Sequence, residues 1–292
     1  MDTEAICSAC SWSPIRQSHC SYHSHVKLFY SAGNRGAWSL GSKLILKERE
    51  NALPNNETSN IQFLTERTSI PIPQVVEEWT EDDGTHFLLT KRIPGQCLEE
   101  AWPTLSAEDK ERVAKQTAEY LMQLRDLRSD RMECLGGTPL YSAFLFADDY
   151  KTGHGPLTSD DELWAEMSRS LSHVPEEARS ALRRRMPSAA PYTFTHGDLT
   201  IVNLMVDKGH LAGILDWEGS GYFPVWWEFT HAGISLSAED AEWKALLRKY
   251  LPDHTEGREF WKDFWFLRQY PDLEERGLQF LNSCGLSLPE KM

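Results

Sequence analysis

Apolar positions follow two rhythms along this chain, and the change falls near residue 95. Residues 25–30 alternate like a short strand, and Ser31-Ala32-Gly33-Asn34-Arg35-Gly36 reads as the turn that ends it. Residues 37–40 and 43–47, joined by Gly41-Ser42, predict a hairpin. Its second arm puts Leu44 and Leu46 on one face and Ile45 and Lys47 on the other. A helix is expected over 57–66, with Ile61 and Leu64 at helical spacing. Ile70-Pro71-Ile72-Pro73 breaks it, and 74–79 resumes as a strand. Asp82-Asp83-Gly84 is a turn signal, and 86–90 reads as a buried strand. With Ile93-Pro94-Gly95 as its end, this stretch predicts a small β-rich lobe over residues 26–95.

Beyond it the spacing lengthens to three and four. Val113, Thr117, Tyr120, Leu121, Leu124 and Leu127 share one face of a helix over 108–127. Ser106, with Asp109 three residues on, is its expected cap. Further helices are predicted over 159–171, 175–186, 238–250 and 256–282, while the Gly/Pro-rich, aromatic stretch 134–157 reads as a loop. Trp226 and Trp227 read as core, as do Trp261, Phe264, Trp265 and Leu267 on the last long helix. No internal repeat or long low-complexity linker is visible. The expected class is α+β: a β-rich lobe over 26–95, a helical lobe over 96–292, and an extension over 1–25.

At 292 residues the chain can bury a large core. Its net charge of -14 argues against a nucleic-acid-binding surface. No apolar run approaches the ~18 residues of a membrane span. The start, Met1-Asp2-Thr3-Glu4, lacks the apolar core of a secretory signal, so the six cysteines read as free thiols and the cytoplasm is expected. Cys7, Cys10, His19, Cys20 and His23 are soft ligands suited to Zn2+. The spacing of their second half fits no common finger, so the segment reads as an extension. Cys97, Cys134 and Cys284 are expected to be buried apolar thiols.

One stretch carries chemistry. It is Thr195-His196-Gly197-Asp198-Leu199-Thr200-Ile201-Val202-Asn203, followed by Ile214-Leu215-Asp216-Trp217-Glu218. Asp198 and Asn203 stand five apart in a loop punctuated by Gly197, and Asp216 ends an apolar strand. Either aspartate alone is most simply a turn or cap residue. Together they have the types and order that phosphoryl transfer from Mg-ATP demands. One carboxylate orients an acceptor hydroxyl, and an amide and a second carboxylate hold the metal.

These two motifs resemble those of the aminoglycoside phosphotransferase-like family, of protein-kinase-like fold, and in particular its eukaryotic and fungal members. The resemblance spans roughly residues 26–285. It implies a cleft for ATP and Mg2+ between two lobes, with small-molecule hydroxyls as acceptors. Asp198 matches the catalytic base, Asn203 and Asp216 the metal ligands, and His196 the motif histidine that braces the loop. Lys47 matches the phosphate-binding lysine and Glu57 its helix partner, while Lys91 and Ile93 match the hinge whose backbone bonds the adenine edge.

The chain departs from the pattern in two places. The only candidate for a phosphate-covering loop is residues 31–36, with two glycines three apart, which suits an ordinary hairpin turn equally well. Thr200 stands where many bacterial relatives carry histidine. The alternative reading is therefore a kinase-fold protein that no longer phosphorylates and binds a ligand or catalyses another step. A protein kinase is disfavoured, because no Ala-Pro-Glu segment follows Asp216. Asp240, Glu242, Asp253, Glu256, Glu259 and Asp263 crowd the acceptor region of the family, but solvated helix faces explain them more simply than a cationic substrate.

Overall fold

The computed structural model describes residues 26–50 and 55–288. His25 and the Cys/His positions of the N-terminal segment lie outside the described residues. Five antiparallel strands open the fold: β1 Val26–Ala32, β2 Arg35–Leu40, β3 Leu44–Glu50, β4 Val75–Thr80 and β5 Thr85–Lys91, in spatial order β1-β2-β3-β5-β4. Helix α1, Glu57–Arg67, is inserted between β3 and β4 and buries Ile61 and Leu64. Lys47 pairs with Ala37 on one side and Leu88 on the other. Opposed residues of antiparallel strands share a face, so Lys47 projects on the side where Ala37 and Leu88 are buried.

The stretch 31–36 is mostly strand rather than loop. β1 continues through Ala32 and β2 begins at Arg35, which leaves a tight turn of Gly33 and Asn34. Gly33 has φ +57, the left-handed conformation that such a turn requires.

After β5 the chain passes straight onto a second sheet. Strand β6, Gln96–Cys97, pairs with β9, Leu204–Asp207, which also pairs with β10, His210–Ile214. Gly95 permits the junction: its φ is +95, and a Cβ there would stand 2.1 Å from the Val206 carbonyl oxygen. A third sheet joins β7 Arg128–Ser129, β8 Tyr192–Thr195 and β11 Gly221–Phe223 in the order β11-β8-β7.

Helices make up most of the remainder: α2 Leu98–Ala101, α3 Ala107–Asp126, α4 Ala143–Phe146, α5 Asp160–Met167, α6 Glu176–Arg185, α7 Trp227–His231, α8 Ala238–Arg248, α9 Thr255–Leu267 and α10 Glu275–Ser283. The Ser106 side chain caps α3 by accepting from the Asp109 N–H. The single helix predicted over 256–282 is two, α9 and α10. Pro271 lies between them, and a proline inside a helix removes an N–H and clashes with the preceding turn. The expected helix over 159–171 is α-helical only to Met167 and tightens to a 3-10 turn over Ser168–Leu171. Within 134–157 the loop is tied by backbone pairing of Leu140 with His154, and it contains α4. Of the three described cysteines only Cys134 is buried; Cys97 and Cys284 are half-buried, contrary to expectation. No described helix is long and apolar enough to cross a membrane.

One apolar core underlies both motif segments. Val113 and Leu121 of α3 pack with Leu199, Ile201, Leu204, Ile214 and Trp217. The loop after β8 and the turn after β10 are therefore anchored from below by the same buried cluster.

Candidate active site

Strand β8, wholly buried, delivers the chain to His196. The His196 ring is buried and uses both nitrogens: Nε2 donates to the Leu215 carbonyl at 2.8 Å, and Nδ1 accepts from the Asp198 N–H at 3.2 Å. Burial pushes this imidazole down to about 4, so it stays neutral and joins two loops rather than moving a proton. Its ring also meets Trp217 edge-on at 4.6 Å. Gly197 follows with φ +84, and a Cβ there would lie 2.8 Å from the Gly219 carbonyl oxygen. The two motif segments thus touch backbone to backbone, and only glycine fits between them.

Asn203 donates its amide N–H to the Asp198 carbonyl at 2.8 Å and to Asp198 Oδ2 at 3.4 Å. Its amide oxygen is thereby left for another partner. Asp216, just past β10, adopts φ 62 and ψ 64, an uncommon left-handed conformation for a non-glycine residue and one concentrated at functional sites. Its Oδ1 lies 3.1 Å from Lys47 Nζ, which in turn lies 2.6 Å from Glu57 Oε1. Burial opposes the Lys47 charge, but Asp216 and Glu57 outweigh it and hold the ammonium above the usual lysine range. Burial likewise opposes the Asp216 charge, and Lys47 reverses this, holding that carboxyl below its ordinary value.

Asp198 is reachable by solvent yet walled by protein. Partial desolvation, followed by repulsion from Asp216, lifts its carboxyl to about 6, and Lys244 pulls the other way. A carboxylate poised there can accept a proton near neutrality.

Three supporting residues, Asn60, Glu228 and Lys244, escaped the sequence reading, and a fourth, Asp240, was expected on a solvated helix face. Asn60, one helical turn after Glu57, donates to the Trp217 carbonyl at 2.7 Å and the Ser220 carbonyl at 3.3 Å, so α1 holds both Lys47 and the turn after Asp216. Glu228 of α7 accepts the His196 N–H at 2.8 Å. Asp240 of α8 accepts the Ile201 N–H at 2.8 Å and the Leu236 N–H at 3.0 Å. Lys244, one turn on, neutralises Asp240 at 3.3 Å and also donates to the Ile234 carbonyl. Asp240 and Lys244 are buried, not on a solvated face. The available signal was their position on the same helical stripe as Trp243 and Leu247.

At the end of β5, the Lys91 N–H is already given to the Gln74 carbonyl at 2.8 Å, which leaves its carbonyl for a ligand. The Ile93 side chain lies over Gly213, where a Cβ would come within 2.3 Å of it. The structure therefore gathers Lys47, Glu57, Asp216, Asp198, Asn203 and His196 into one region and sets Lys91 at the end of β5 and Ile93 on the connection to the second sheet. A hollow of about 510 Å³ lies elsewhere, beside Leu28, Trp38 and Glu48, and contains none of these residues.

The model of the phosphotransferase enzyme family matches residues 39–260, which include both motif segments. The chain belongs to that family. An aminoglycoside 3'-phosphotransferase of Streptomyces fradiae is 26% identical over 190 residues, 64% of this chain and 65% of that relative's length. Among solved structures, the apo form of a thermostable mutant of aminoglycoside phosphotransferase APH(4)-Ia superposes with a TM-score of 0.58 at 14% identity, covering 89% of this chain and 91% of the other. The streptomycin-ATP-APH(2")-IIa ternary complex gives a TM-score of 0.54 at 17% identity, covering 89% and 90%. These neighbours share the fold, an antiparallel sheet followed by a helical portion, and at such identity they speak for the fold alone.

Proposed function

We propose that this protein transfers the γ-phosphoryl group of ATP to a hydroxyl of a small molecule. The observation that carries the reading is the chain of contacts from Glu57 through Lys47 to Asp216, with Asp198 and Asn203 beside it. A lysine held charged by two carboxylates, next to a raised carboxyl, is the arrangement that phosphoryl transfer needs: cation for the phosphates, base for the acceptor.

Asp198 accepts a hydrogen bond from the acceptor hydroxyl and takes its proton as the new O–P bond forms. The bond from the γ-phosphorus to its bridging oxygen breaks, and ADP leaves. Lys47 neutralises phosphate charge, Glu57 fixes where Lys47 points, and the Lys91 carbonyl and Ile93 N–H face the adenine edge. The nucleotide would lie between residues 26–95 and 96–292.

Among the described residues, no trio of His, Cys, Asp and Glu side chains forms a ready-made metal site. The donors that fit Mg2+ are the Asn203 amide oxygen, which the bonds of its nitrogen do not use, and the second oxygen of Asp216, whose first is committed to Lys47. Bound there, Mg2+ would offset charge on the nucleotide phosphates. The Streptomyces relative, an aminoglycoside 3'-phosphotransferase, supports the same reading. The three described cysteines, all free thiols, accord with a cytoplasmic enzyme.

Calorimetric titration with ATP, with and without Mg2+, tests this directly. Metal-dependent binding that Asp216→Ala abolishes is expected. Absence of binding at millimolar ATP would move the protein to the non-phosphorylating reading.

A further inference from the structure

The geometry points to an acceptor that is an uncharged alcohol with an apolar or aromatic body, seated against Tyr150, Val202 and Leu236 beside Asp198. This rests on the phosphotransferase reading and narrows its substrate class.

Large apolar side chains left exposed on the described surface are few. Val26, Phe29, Tyr30 and Val76 belong to the first sheet, and Met122 to α3. The other three, Tyr150, Val202 and Leu236, come from three separate loops and converge on one place. Val202, 39% exposed, is in the motif loop itself, between Asp198 and Asn203. Leu236, 71% exposed, is brought beside that loop because one Asp240 carboxylate binds both its N–H and that of Ile201. Tyr150, 62% exposed, lies close enough for its phenol to feel the charge of Asp198. Exposed apolar groups scattered singly need no explanation, but three grouped around a candidate base do.

An aromatic wall stands behind Tyr150. Phe144 meets Tyr150 edge-on at 6.3 Å and His231 edge-on at 5.6 Å, and lies tilted against Trp265 at 5.8 Å. The buried His231 ring has no hydrogen-bond partner on either nitrogen, and burial pushes it down to about 3. It lines the wall as a neutral group.

Several carboxylates of this portion of the chain are already paired internally. A polycationic acceptor needs carboxylates free to meet it. Here Asp240 is taken by Lys244, and Asp148 and Glu166 flank His154 at 2.8 Å each. Glu259 pairs with Arg276 at 2.8 Å and Lys262 at 3.1 Å, and Asp263 pairs with Arg276 at 2.7 Å and Arg185 at 3.1 Å. Glu228 is committed to the His196 N–H. Of the six acidic residues that looked like a cation site in the sequence, Asp240, Glu242, Glu259 and Asp263 are paired with cations of this chain. What Tyr150, Val202 and Leu236 offer a ligand is apolar surface, which binds by removing apolar area from water.

The test uses the full chain and three probes, 2-(2-naphthyl)ethanol, 1-octanol and kanamycin, titrated calorimetrically with and without saturating Mg-ADP. At least one of the two alcohols should bind, and kanamycin should not. Tyr150→Ser/Leu236→Ser, at exposed positions that leave the core untouched, should weaken alcohol binding by about tenfold or more while leaving Mg-ATP affinity unchanged. Binding of kanamycin in preference to both alcohols overturns the inference. So does failure of both alcohols to bind, or alcohol binding that the double variant does not alter. The phosphotransferase reading fails separately, on absence of Mg-ATP binding, and the alcohol titration without nucleotide still reports on this apolar surface.

Discussion

The Arg35 guanidinium lies 2.6 Å from the Glu218 carboxylate, across 183 residues of sequence. Arg49 grips the other oxygen of the same carboxylate. Both arginines come from the first sheet, at the start of β2 and in β3, while Glu218 follows Asp216 by two residues. The hairpin is thus held down on the turn that carries the candidate metal ligand. Arg35 is exposed, so its ion pair contributes little stability by itself and exchanges readily. It also lies in the field of Asp216, where nucleotide phosphates would arrive. With only Gly33 and Asn34 in the hairpin turn, a side-chain cation is the available substitute for a glycine-rich cradle. Arg35→Ala should weaken Mg-ATP binding by about tenfold, the worth of one charge-assisted hydrogen bond, and leave adenosine binding unchanged. Equal losses for both ligands would mean that Arg35 only shapes the lobe.

Lys47 and Asp216 share one electrostatic contact, so their variants should fail alike. Asp216→Asn removes a charge that holds Lys47 and that a bound Mg2+ would share, and the rate should fall by about a hundredfold or more, as for other preorganised charge contacts worth ~3 kcal/mol. Lys47→Met should do the same and additionally leave Glu57 buried without its cation. Single-turnover ADP formation is the measurement. A variant that keeps wild-type rates removes its residue from the phosphate site.

The raised Asp198 carboxyl sets a pH dependence with a definite sign. Only its ionised form accepts a proton, so kcat/KM should rise with pH and level off above about 6. A bound cation would draw this midpoint down. The limb should therefore lie lower in kcat, measured with nucleotide and metal bound, than in kcat/KM for the nucleotide. An acid limb that persists unchanged in Asp198→Asn would assign it to another group.

The strands of the first sheet, α1 and α3 were legible because their apolar positions repeat at strand or helix period and their ends carry Gly, Pro or a capping Ser. The motif residues were legible because Asp198, Asn203 and Asp216 keep a local spacing. What sequence could not show is long-range closure. The Arg35–Glu218 pair and the Asn60 bonds to Trp217 and Ser220 depend on how α1 and the hairpin land on a turn over 150 residues away. The run 256–282 misled because its apolar spacing continues across Pro271, which breaks the helix regardless. Asp240 misled in the opposite way: its charge suggested solvent, whereas it and Lys244 neutralise each other in the interior and the carboxylate is used to hold backbone.

Glu228 offers the sharpest test of how the motif loop is held. Enclosure by protein pushes its carboxyl up to about 7 from 4.5, with the His196 N–H pulling the other way. Between those values the folded protein binds a proton that the unfolded chain has released. Stability from this group is therefore complete below about 4.5 and is lost as pH rises through about 7. Glu228→Gln keeps an oxygen for the His196 N–H but cannot ionise. It should gain stability relative to wild type as pH is raised from about 5 to about 8, read as the difference in urea midpoint. Glu228→Leu instead orphans the His196 N–H and should cost about 1–3 kcal/mol at every pH. If Gln and Leu destabilise equally and without pH dependence, Glu228 is held by packing alone and the loop owes its position to the His196 ring.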